Sequence, residues 1–516
     1  MNIVDAHPFG GTLSADLLLP FDDREITGSS RFVNLDAHLV DAAFPEIDLG
    51  LGGRASGHVS FLFRSNPPAG EFPIEMESRL DSRQLLVRGV PVHALHGVAS
   101  LENGRLKYDL YAEALSGKFQ VEGSLPIGPE TRSPNPIAEA AAPESEPNGR
   151  FRAIGFLFDD SLWTALGVGG ALDRLQGEGA IDANMRLSAQ PFDLQAHGVA
   201  EFRNLRLGPS GHIGRLRGEF LVDADRWKIE NLSGELFEGS ASGSLTYSLA
   251  TPEEPNTLNY RVEINSADVD RLALLAPPIE GVLSGRANLR ATGRLDEALR
   301  AQGDLRVPVG QLYGLPMTDL DAPVILTYLP SSANGTVEAR RFHARLAGGR
   351  VEGTARIRFG LHRNFTTDLN LSQLDLELLT RGYMDSKRPT TGKVSGTVSL
   401  KGIDTYRPET YSGRADLTLQ DASVLDLPVF RALDRFLGGP AGGGVFEQGE
   451  LHAQIGNRQI IVEQLALFGR VAQLHGEGTV GFDGQLNLVV LVNTNQLIAE
   501  TGQALIALIP GLRNGR

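Results

Sequence analysis

Apolar and polar residues alternate along much of this chain with a period of two. The alternation is most regular in three segments, whose apolar members are Val59, Phe61 and Phe63; Ile181, Ala183, Met185 and Leu187; and Ala287, Leu289 and Ala291. Polar residues such as His58, Asp182 and Arg290 fall between them. This period is typical of β-strands with one apolar and one wetted face. Such one-sided strands usually belong to antiparallel sheets.

The last such segment differs on its second face. Leu486, Leu488, Val490 and Val492 share one face, as in the other segments. The opposite face holds Asn487, Val489 and Leu491 and is therefore more apolar than elsewhere. We expect this second face to be covered.

Two series of glycines recur at nearly the same spacing. Gly-x-x-x-Gly motifs that end at Gly57, Gly285 and Gly396, with a looser copy ending at Gly179, are 122, 106 and 111 residues apart in chain order. A second series, Gly123, Gly243, Gly353 and Gly478, has spacings of 120, 110 and 125 residues. Long-period self-similarity indicates a repeat protein. The sequence therefore predicts about four divergent copies of roughly six or seven strands each, and the chain begins inside an earlier, partial copy.

Turn and helix signals divide the copies further. Asn103-Gly104, Asn334-Gly335 and Asp483-Gly484 predict hairpin turns. Helices are predicted at 158–166, with Asp159 or Asp160 as the N-cap, and in amphipathic stretches at 428–437 and 497–509. The predicted divisions are a partial copy plus the first repeat at 1–127, a disordered insert at 128–150, and further repeats at 151–254, 255–360 and 361–516.

The number of strands limits the shape of the sheet. Open sheets of more than about 10 strands normally curl, split or close. The predicted fold is therefore mainly β: an elongated, curled antiparallel β-sheet groove built from about four divergent repeats, with a few short helices. Its inner face would be apolar, and either an open groove or a filled core fits the alternation.

The amino-acid composition excludes several classes of function. The chain has 516 residues, 60 of them glycine, with a net charge of −15 and no cysteine. An acidic surface repels phosphate backbones, so we expect no nucleic-acid partner. Without cysteine there are no disulfides, thiolate nucleophiles or cysteine-ligated metals. No run of 18 apolar residues and no signal peptide is visible.

The sequence contains no recognisable catalytic motif. The sequence has no phosphate-binding loop and no Gly-x-Ser-x-Gly motif. His93 and His96 form the only close histidine pair and lack a His-Glu-x-x-His pattern. Asp36, Asp270 and Asp375 recur at comparable positions, which favours a role in turns or helix caps. We therefore predict no catalytic residue, no metal site and no cofactor, and a protein that is not an enzyme.

One region resembles a known family. Ser412-Gly-Arg-Ala-Asp-Leu-Thr-Leu-Gln-Asp-Ala-Ser-Val-Leu-Asp-Leu-Pro428, Phe446-Glu-Gln-Gly-Glu-Leu-His-Ala-Gln-Ile455 and the segment 467–488 are similar to the C-terminal region of AsmA-like proteins, relatives of TamB and of bridge-like lipid-transfer proteins. The resemblance implies a periplasmic β-groove, anchored by an inner-membrane helix, that carries phospholipid toward the outer membrane. It implies no shared catalytic residues. No anchor is evident in this sequence, so either the sequence is a fragment or another subunit supplies the anchor.

These observations lead to a leading hypothesis and two alternatives. The first is a non-enzymatic envelope protein that holds phospholipid acyl chains in its groove, with membrane proteins of either membrane as further partners. Its groove candidates are Val59, Phe61, Phe63, Ile181, Met185, Leu187, Leu289, Val398, Leu400, Leu486, Leu488 and Val490. The second is an assembly factor or scaffold for outer-membrane components, whose sheet edges capture partner strands. A β-solenoid enzyme acting on polysaccharide is a third.

Overall fold

The structure is a computed structural model. It describes residues 2–6, 10–19, 25–39, 50–67, 72–87, 89–127, 147–166, 175–189, 192–207, 211–223, 226–249, 255–272, 281–329, 332, 334–361, 363–380, 391–403, 407–423, 445–470, 472–483 and 485–494. Most of these residues lie in antiparallel strands, and the predicted fold class, an open curled antiparallel sheet with a few short helices, is confirmed. The chain forms two compact units, which are described separately below.

Unit 1 comprises Met1–Leu236, Ser240–Val262 and Arg294–Asp296. Its strands are β1 Asn2–Ala6, β2 Thr12–Leu18, β3 Glu25–Asp36, β4 Leu51–Arg64, β5 Ile74–Val87, β6 Val90–Glu102, β7 Arg105–Ala114, β8 Gly117–Pro126, β9 Gly149–Phe158, β10 Leu175–Ala189, β11 Phe192–Leu207, β12 Gly211–Asp223, β13 Arg226–Leu236, most of β14 Gly239–Ser248 and the first half of β15 Thr257–Asp268. From β1 to β13 each strand pairs antiparallel with the next one in sequence. One helix, α1 Asp160–Ala165, follows β9.

Unit 2 comprises Phe237–Gly239, Glu263–Gly293 and Glu297–Arg516. Beyond the end of β15 its strands are β16 Leu283–Leu295, β17 Leu299–Leu312, β18 Leu315–Leu329, β19 Asn334–Leu346, β20 Gly349–Phe359, β21 Asn364–Asp375, β22 Thr391–Gly402, β23 Ser412–Ser423, β24 Val445–Gly456, β25 Gln459–Phe468, β26 Ala472–Gly481 and β27 Leu486–Thr494. From β17 to β27 consecutive strands pair antiparallel. The helices are α2 Val269–Leu272 and α3 Leu376–Thr380, and a 3₁₀ turn spans Pro408–Thr410.

The repeat contains six strands. The first glycine series falls in β4, β10, β16 and β22, and the second falls in β8, β14, β20 and β26, so each series returns every sixth strand. The copies therefore begin at β4, β10, β16 and β22, and β1 to β3 match the end of a copy. Within the predicted insert, residues 128–146 lie outside the described residues, and β9 already begins at Gly149.

Close approach of neighbouring strands explains why these glycines recur. A Cβ on Gly57 would overlap both the Arg79 carbonyl oxygen and the Phe32 ring. A Cβ on Gly396 would overlap the carbonyl oxygen of Asp416 in the same way. A side chain at these positions would therefore push adjacent strands apart.

Two of the sequence predictions about turns have clear outcomes. Asn103 and Gly104 form the predicted hairpin turn between β6 and β7, with φ of 51° and 72°. The prediction for Asn334-Gly335 is wrong, because both residues lie in β19 and face Leu329 and Tyr328 of β18. Gly335 is instead a packing position, since a Cβ there would overlap the Phe359 ring. Asp483 lies between β26 and β27 and accepts a hydrogen bond from the Gln485 N–H at 3.0 Å.

An aspartate caps the segment that follows β3, β9, β15 and β21, the last strands of the partial copy and of the first three full copies. Asp159 is the N-cap of α1, as predicted, and accepts a hydrogen bond from the Ser161 N–H at 3.0 Å. Asp36 and Asp375 accept equivalent bonds from the His38 and Glu377 N–H groups. In the second copy the capping residue is Asp268, which accepts from the Arg271 N–H at 3.2 Å. The expectation for Asp270 is therefore wrong, because this residue lies inside α2.

Two predicted helices cannot be compared with the structure. The stretches 428–437 and 497–509 lie outside the described residues. Among the described helices, none has the length and apolar character needed to cross a membrane.

Candidate functional site: an apolar sheet face

Residues that face each other across the strands of unit 1 form one apolar surface. Directly opposed residues of an antiparallel pair lie on the same face of the sheet. Following these pairs from β3 to β8 gives Gly28, Phe61, Met76, Leu101, Leu106 and Leu125. From β8 to β13 they give Val121, Phe151, Ala183, Gly198, Phe220 and Ile229. We call this surface the unit 1 apolar face.

The opposite face of unit 1 is polar. Its cross-strand rows include Arg31, His58, Arg79, Asp109, Glu122 and Arg150. Arg150 donates two hydrogen bonds to Asp182, at 2.8 and 2.7 Å, and these hold the pKa of that carboxyl below its ordinary value. One face thus meets water while the other presents hydrocarbon.

Unit 2 has the same arrangement. From β20 to β27 the opposed residues are Gly353, Leu369, Val398, Ala415, Ala453, Val462, Gly478 and Leu488. We call this surface the unit 2 apolar face. The prediction that strand faces segregate into apolar and polar sets therefore describes the backbone register of both units.

The structure places the predicted groove residues other than Leu289 on these faces. In unit 1, Val59, Phe61, Phe63, Ile181 and Leu187 are half-buried on the apolar face, and Met185 is buried among Ala183, Ala196 and Phe220. In unit 2, Val398, Leu400, Leu488 and Val490 are half-buried on the apolar face. Leu486 occupies the same face by register, and its side chain lies outside the described set. Leu289 is half-buried and alternates with the exposed Arg290, which pairs with Glu263 at 3.2 Å.

Part of each apolar face is filled by the chain itself. In each unit, the segments that follow the sixth strand of a copy all lie at the same row of strand ends. We call this row of strand ends the helix-bearing edge. Ala37, just after β3, packs with Leu85, Val92 and Ala114. Leu376 of α3 packs against a cluster that contains Phe446 and Leu467. The candidates Phe63, Leu187 and Leu400 lie toward the opposite edge, which we call the far edge, and are half-buried there. Near the same edge of unit 1, Met185, Ala196, Phe220 and Val222 form a buried cluster, so this part of the face is also filled by the chain.

A contact in unit 1 joins the two edges. Leu166 follows α1 at the helix-bearing edge, whereas Tyr247 lies near the end of β14 at the far edge, because consecutive strands run in opposite directions. The Tyr247 hydroxyl nevertheless donates a hydrogen bond to the Leu166 carbonyl. In a flat sheet the 10 residues of β9 would separate these edges by about 33 Å. The sheet of unit 1 must therefore twist and curl strongly.

Unit 2 shows a comparable contact. Tyr313 follows β17 at the helix-bearing edge, and Tyr411 precedes β23 at the far edge. The two side chains interact electrostatically with each other. Desolvation and the neighbouring Tyr411 raise the pKa of Tyr313 to about 12. The curl of unit 2 thus also brings opposite strand ends together.

Sequence reasoning missed these tyrosines. Tyr247, Tyr313 and Tyr411 gain their roles through contacts between segments that are 81 and 98 residues apart. It also missed Tyr108 on the unit 1 apolar face, which faces Gly123 of β8. Among the described residues, the Tyr108 hydroxyl is the one buried side-chain polar atom without a hydrogen-bond partner, and burial raises its pKa.

The polar face of each unit contains a histidine–aspartate pair. His96 lies 2.6 Å from Asp81, and His452 lies 2.7 Å from Asp416. The hydrogen bond from His452 lowers the pKa of the Asp416 carboxyl. Within the described ranges, no group of three or more His, Asp or Glu side chains could hold a metal ion.

Comparison of this chain with protein-family models, with curated proteins and with solved structures gives no match.

Proposed function

We propose that this protein is a non-enzymatic carrier that holds phospholipid acyl chains against the apolar faces of its curled sheets. The observation that carries the proposal is the set of half-buried apolar side chains on each apolar face, which includes Phe61, Phe63 and Leu187 in unit 1 and Leu400 and Leu488 in unit 2. Burial of hydrocarbon releases about 25 cal/mol per Å2 of apolar surface removed from water. A half-exposed apolar face therefore favours an elongated hydrocarbon ligand.

The chemistry of the face suits a ligand that slides. Its side chains are aliphatic or aromatic and interspersed with glycine, as in the half-buried row Gly28, Phe61 and Met76. Hydrophobic contacts are not directional. An acyl chain thus gains similar contact energy at successive strands and meets no single strong site.

The cellular role follows from the resemblance to AsmA-like proteins. We propose a periplasmic location and transport of phospholipid between the inner and outer membranes, with proteins of either membrane as further partners. The apolar, curled sheet is compatible with this role, and the acidic surface disfavours nucleic acid as a partner.

A second candidate is an assembly factor or scaffold for outer-membrane components. The outer face of β27 favours this candidate, because Val489 and Leu491 are 44% and 51% exposed there. Such an exposed apolar pair at the last described strand could receive a partner strand.

Photo-crosslinking distinguishes the two candidates. A photoreactive amino acid at Ile181 would lie on the apolar face, and one at Asp182 would lie on the polar face one residue away. The carrier proposal predicts lipid adducts at position 181 and a much lower yield at position 182. Protein adducts from a photoreactive residue at position 489 on β27, without lipid adducts at position 181, would favour the assembly role instead.

A further inference from the structure

A cleft lies at the far edge of unit 2. We call it the rim cleft; six polar residues line it, Arg356, Arg358, Asn364, Thr366, Lys401 and Ser412, together with Phe365 and Gly402. Its volume is about 420 Å3, and it opens to solvent. Three of its side chains are cations and none is an acid, although the chain as a whole carries a net charge of −15.

The strand register explains how the cations converge. Arg356 on β20 and Lys401 on β22 both face Thr366, which lies on β21 between them. Neighbouring strands are about 4.8 Å apart, so the two backbones flank a gap of roughly 10 Å. Two long cationic side chains can close this gap around a tetrahedral oxyanion.

Neutral donors complete the cleft. Asn364 faces Arg358 at the rim, and Ser412 faces Lys401 from β23. Hydroxyl and amide groups donate hydrogen bonds without adding charge. The cleft therefore offers donors from four successive strands, which is more than a planar carboxylate with two oxygens can use.

Two of the cations have no acidic partner. Elsewhere in unit 2, exposed arginines form ion pairs, for example Arg306 with Asp321 at 3.1 Å. In the rim cleft, Arg356 pairs with Glu338 at 2.7 Å. Across the ranges that the structure describes, Arg358 and Lys401 form no ion pair with any carboxylate. Their charges are thus available to an external anion.

We propose that the rim cleft binds a phosphate group. Arg358 can donate two parallel hydrogen bonds to phosphate oxygens, and Lys401 adds a point charge. Thr366, Ser412 and Asn364 donate to the remaining oxygens. The site requires only the phosphate, so its existence does not depend on the proposed function.

The phosphate can belong to a lipid or be free in solution. Leu400, a groove candidate, immediately precedes Lys401 and lies on the opposite face at the same edge. A phospholipid with its acyl chains on the unit 2 apolar face could thus reach over the edge with its headgroup. Binding of a lipid headgroup rests on the proposed function, whereas binding of free phosphate does not.

The test uses the full chain and two double variants. Binding of inorganic phosphate and of monomeric dihexanoyl phosphatidylglycerol is measured by isothermal titration calorimetry at low ionic strength. One variant carries Arg358→Gln and Lys401→Gln. The matched control carries Arg79→Gln and Arg186→Gln, which remove the same charge from exposed positions in unit 1. Circular dichroism verifies that both variants fold.

The proposal predicts that phosphate affinity falls at least about tenfold in the cleft variant and less than about twofold in the control. If the lipid binds at least about tenfold more tightly than inorganic phosphate and loses this advantage in the cleft variant, the lipid headgroup is the ligand. Equal affinities for both ligands identify free phosphate. The proposal is overturned if the wild type does not bind phosphate, or if both variants lose affinity equally. Lipid binding that persists unchanged in the cleft variant would refute the site while leaving the carrier function intact.

Discussion

Replacing Phe61 by aspartate places a charge in the middle of the unit 1 apolar face. Phe61 faces Gly28 of β3 and Met76 of β5, and it is half-buried. We expect the variant to fold, because the carboxylate can reach water at a half-exposed position. We expect its affinity for long-chain lipid to fall.

The size of this loss follows from the exposed part of the ring. A phenylalanine side chain carries about 200 Å2 of surface, and about a quarter of it, roughly 50 Å2, would be free to contact an acyl chain. At about 25 cal/mol per Å2 this contact is worth about 1.2 kcal/mol, or roughly eightfold in affinity. The aspartate adds a desolvation cost, so eightfold is the lower end of the expected loss.

The assay is a titration with pyrene-labelled phospholipid, followed by fluorescence, alongside urea unfolding of each variant. The matched control is Leu62→Asp, because Leu62 is also half-buried and lies one residue away on the polar face. We expect the control to retain wild-type lipid affinity within about twofold. Equal affinities of the Phe61 and Leu62 variants, both folded, would refute the assignment of the apolar face as the lipid surface.

Three further substitutions test the architecture. Tyr313 has a raised pKa, so its stabilising contribution is complete below pH 10, the pKa of an ordinary tyrosine, and is lost as the pH rises toward about 12. The Tyr313→Phe variant should therefore lack this part of the alkaline decrease in the urea unfolding midpoint. An alkaline profile identical to that of the wild type would contradict the contact. Gly57→Ala should destabilise unit 1 by about 1–3 kcal/mol in urea unfolding, because the Cβ has no space. The control Gly52→Ala should cost less than about 1 kcal/mol, because its Cβ would lie 3.5 Å from Leu86. Equal effects would refute the explanation that crowding between strands requires glycine at position 57. Asp159→Ala should lower the stability of α1 by about 1 kcal/mol, measured as faster amide hydrogen exchange in α1. Asp160→Ala should have a smaller effect, and the reverse order would reject Asp159 as the cap.

Much of the fold follows from local sequence patterns. Period-two alternation predicts which residues of β4, β10 and β22 share a face, because side chains of a strand alternate between faces. The glycine series predicts the length of the repeat, because each copy places glycine where strands approach closely. Local rules failed where contacts with a neighbouring strand determine the backbone conformation. Asn334 and Gly335 resemble a turn, yet the Phe359 ring requires a glycine within a paired strand.

The candidate site was only partly accessible to sequence reasoning. The apolar positions were visible, but the fraction of the face that is filled depends on segments such as α3, which packs Leu376 onto distant strands. The contact between Tyr247 and Leu166 depends on the curl of the whole sheet, which no local pattern encodes. The rim cleft likewise arises from the register of four strands. From the sequence alone, Arg356 and Arg358 would be predicted to lie on an ordinary solvent-exposed strand face.

The most direct test of the central claim is mass spectrometry of an organic extract from the purified, folded protein after expression in a bacterium. The account predicts co-purified phospholipid in a reproducible ratio to protein, and less of it in the Phe61→Asp variant. A natively folded wild-type protein whose extract contains no lipid would contradict the account.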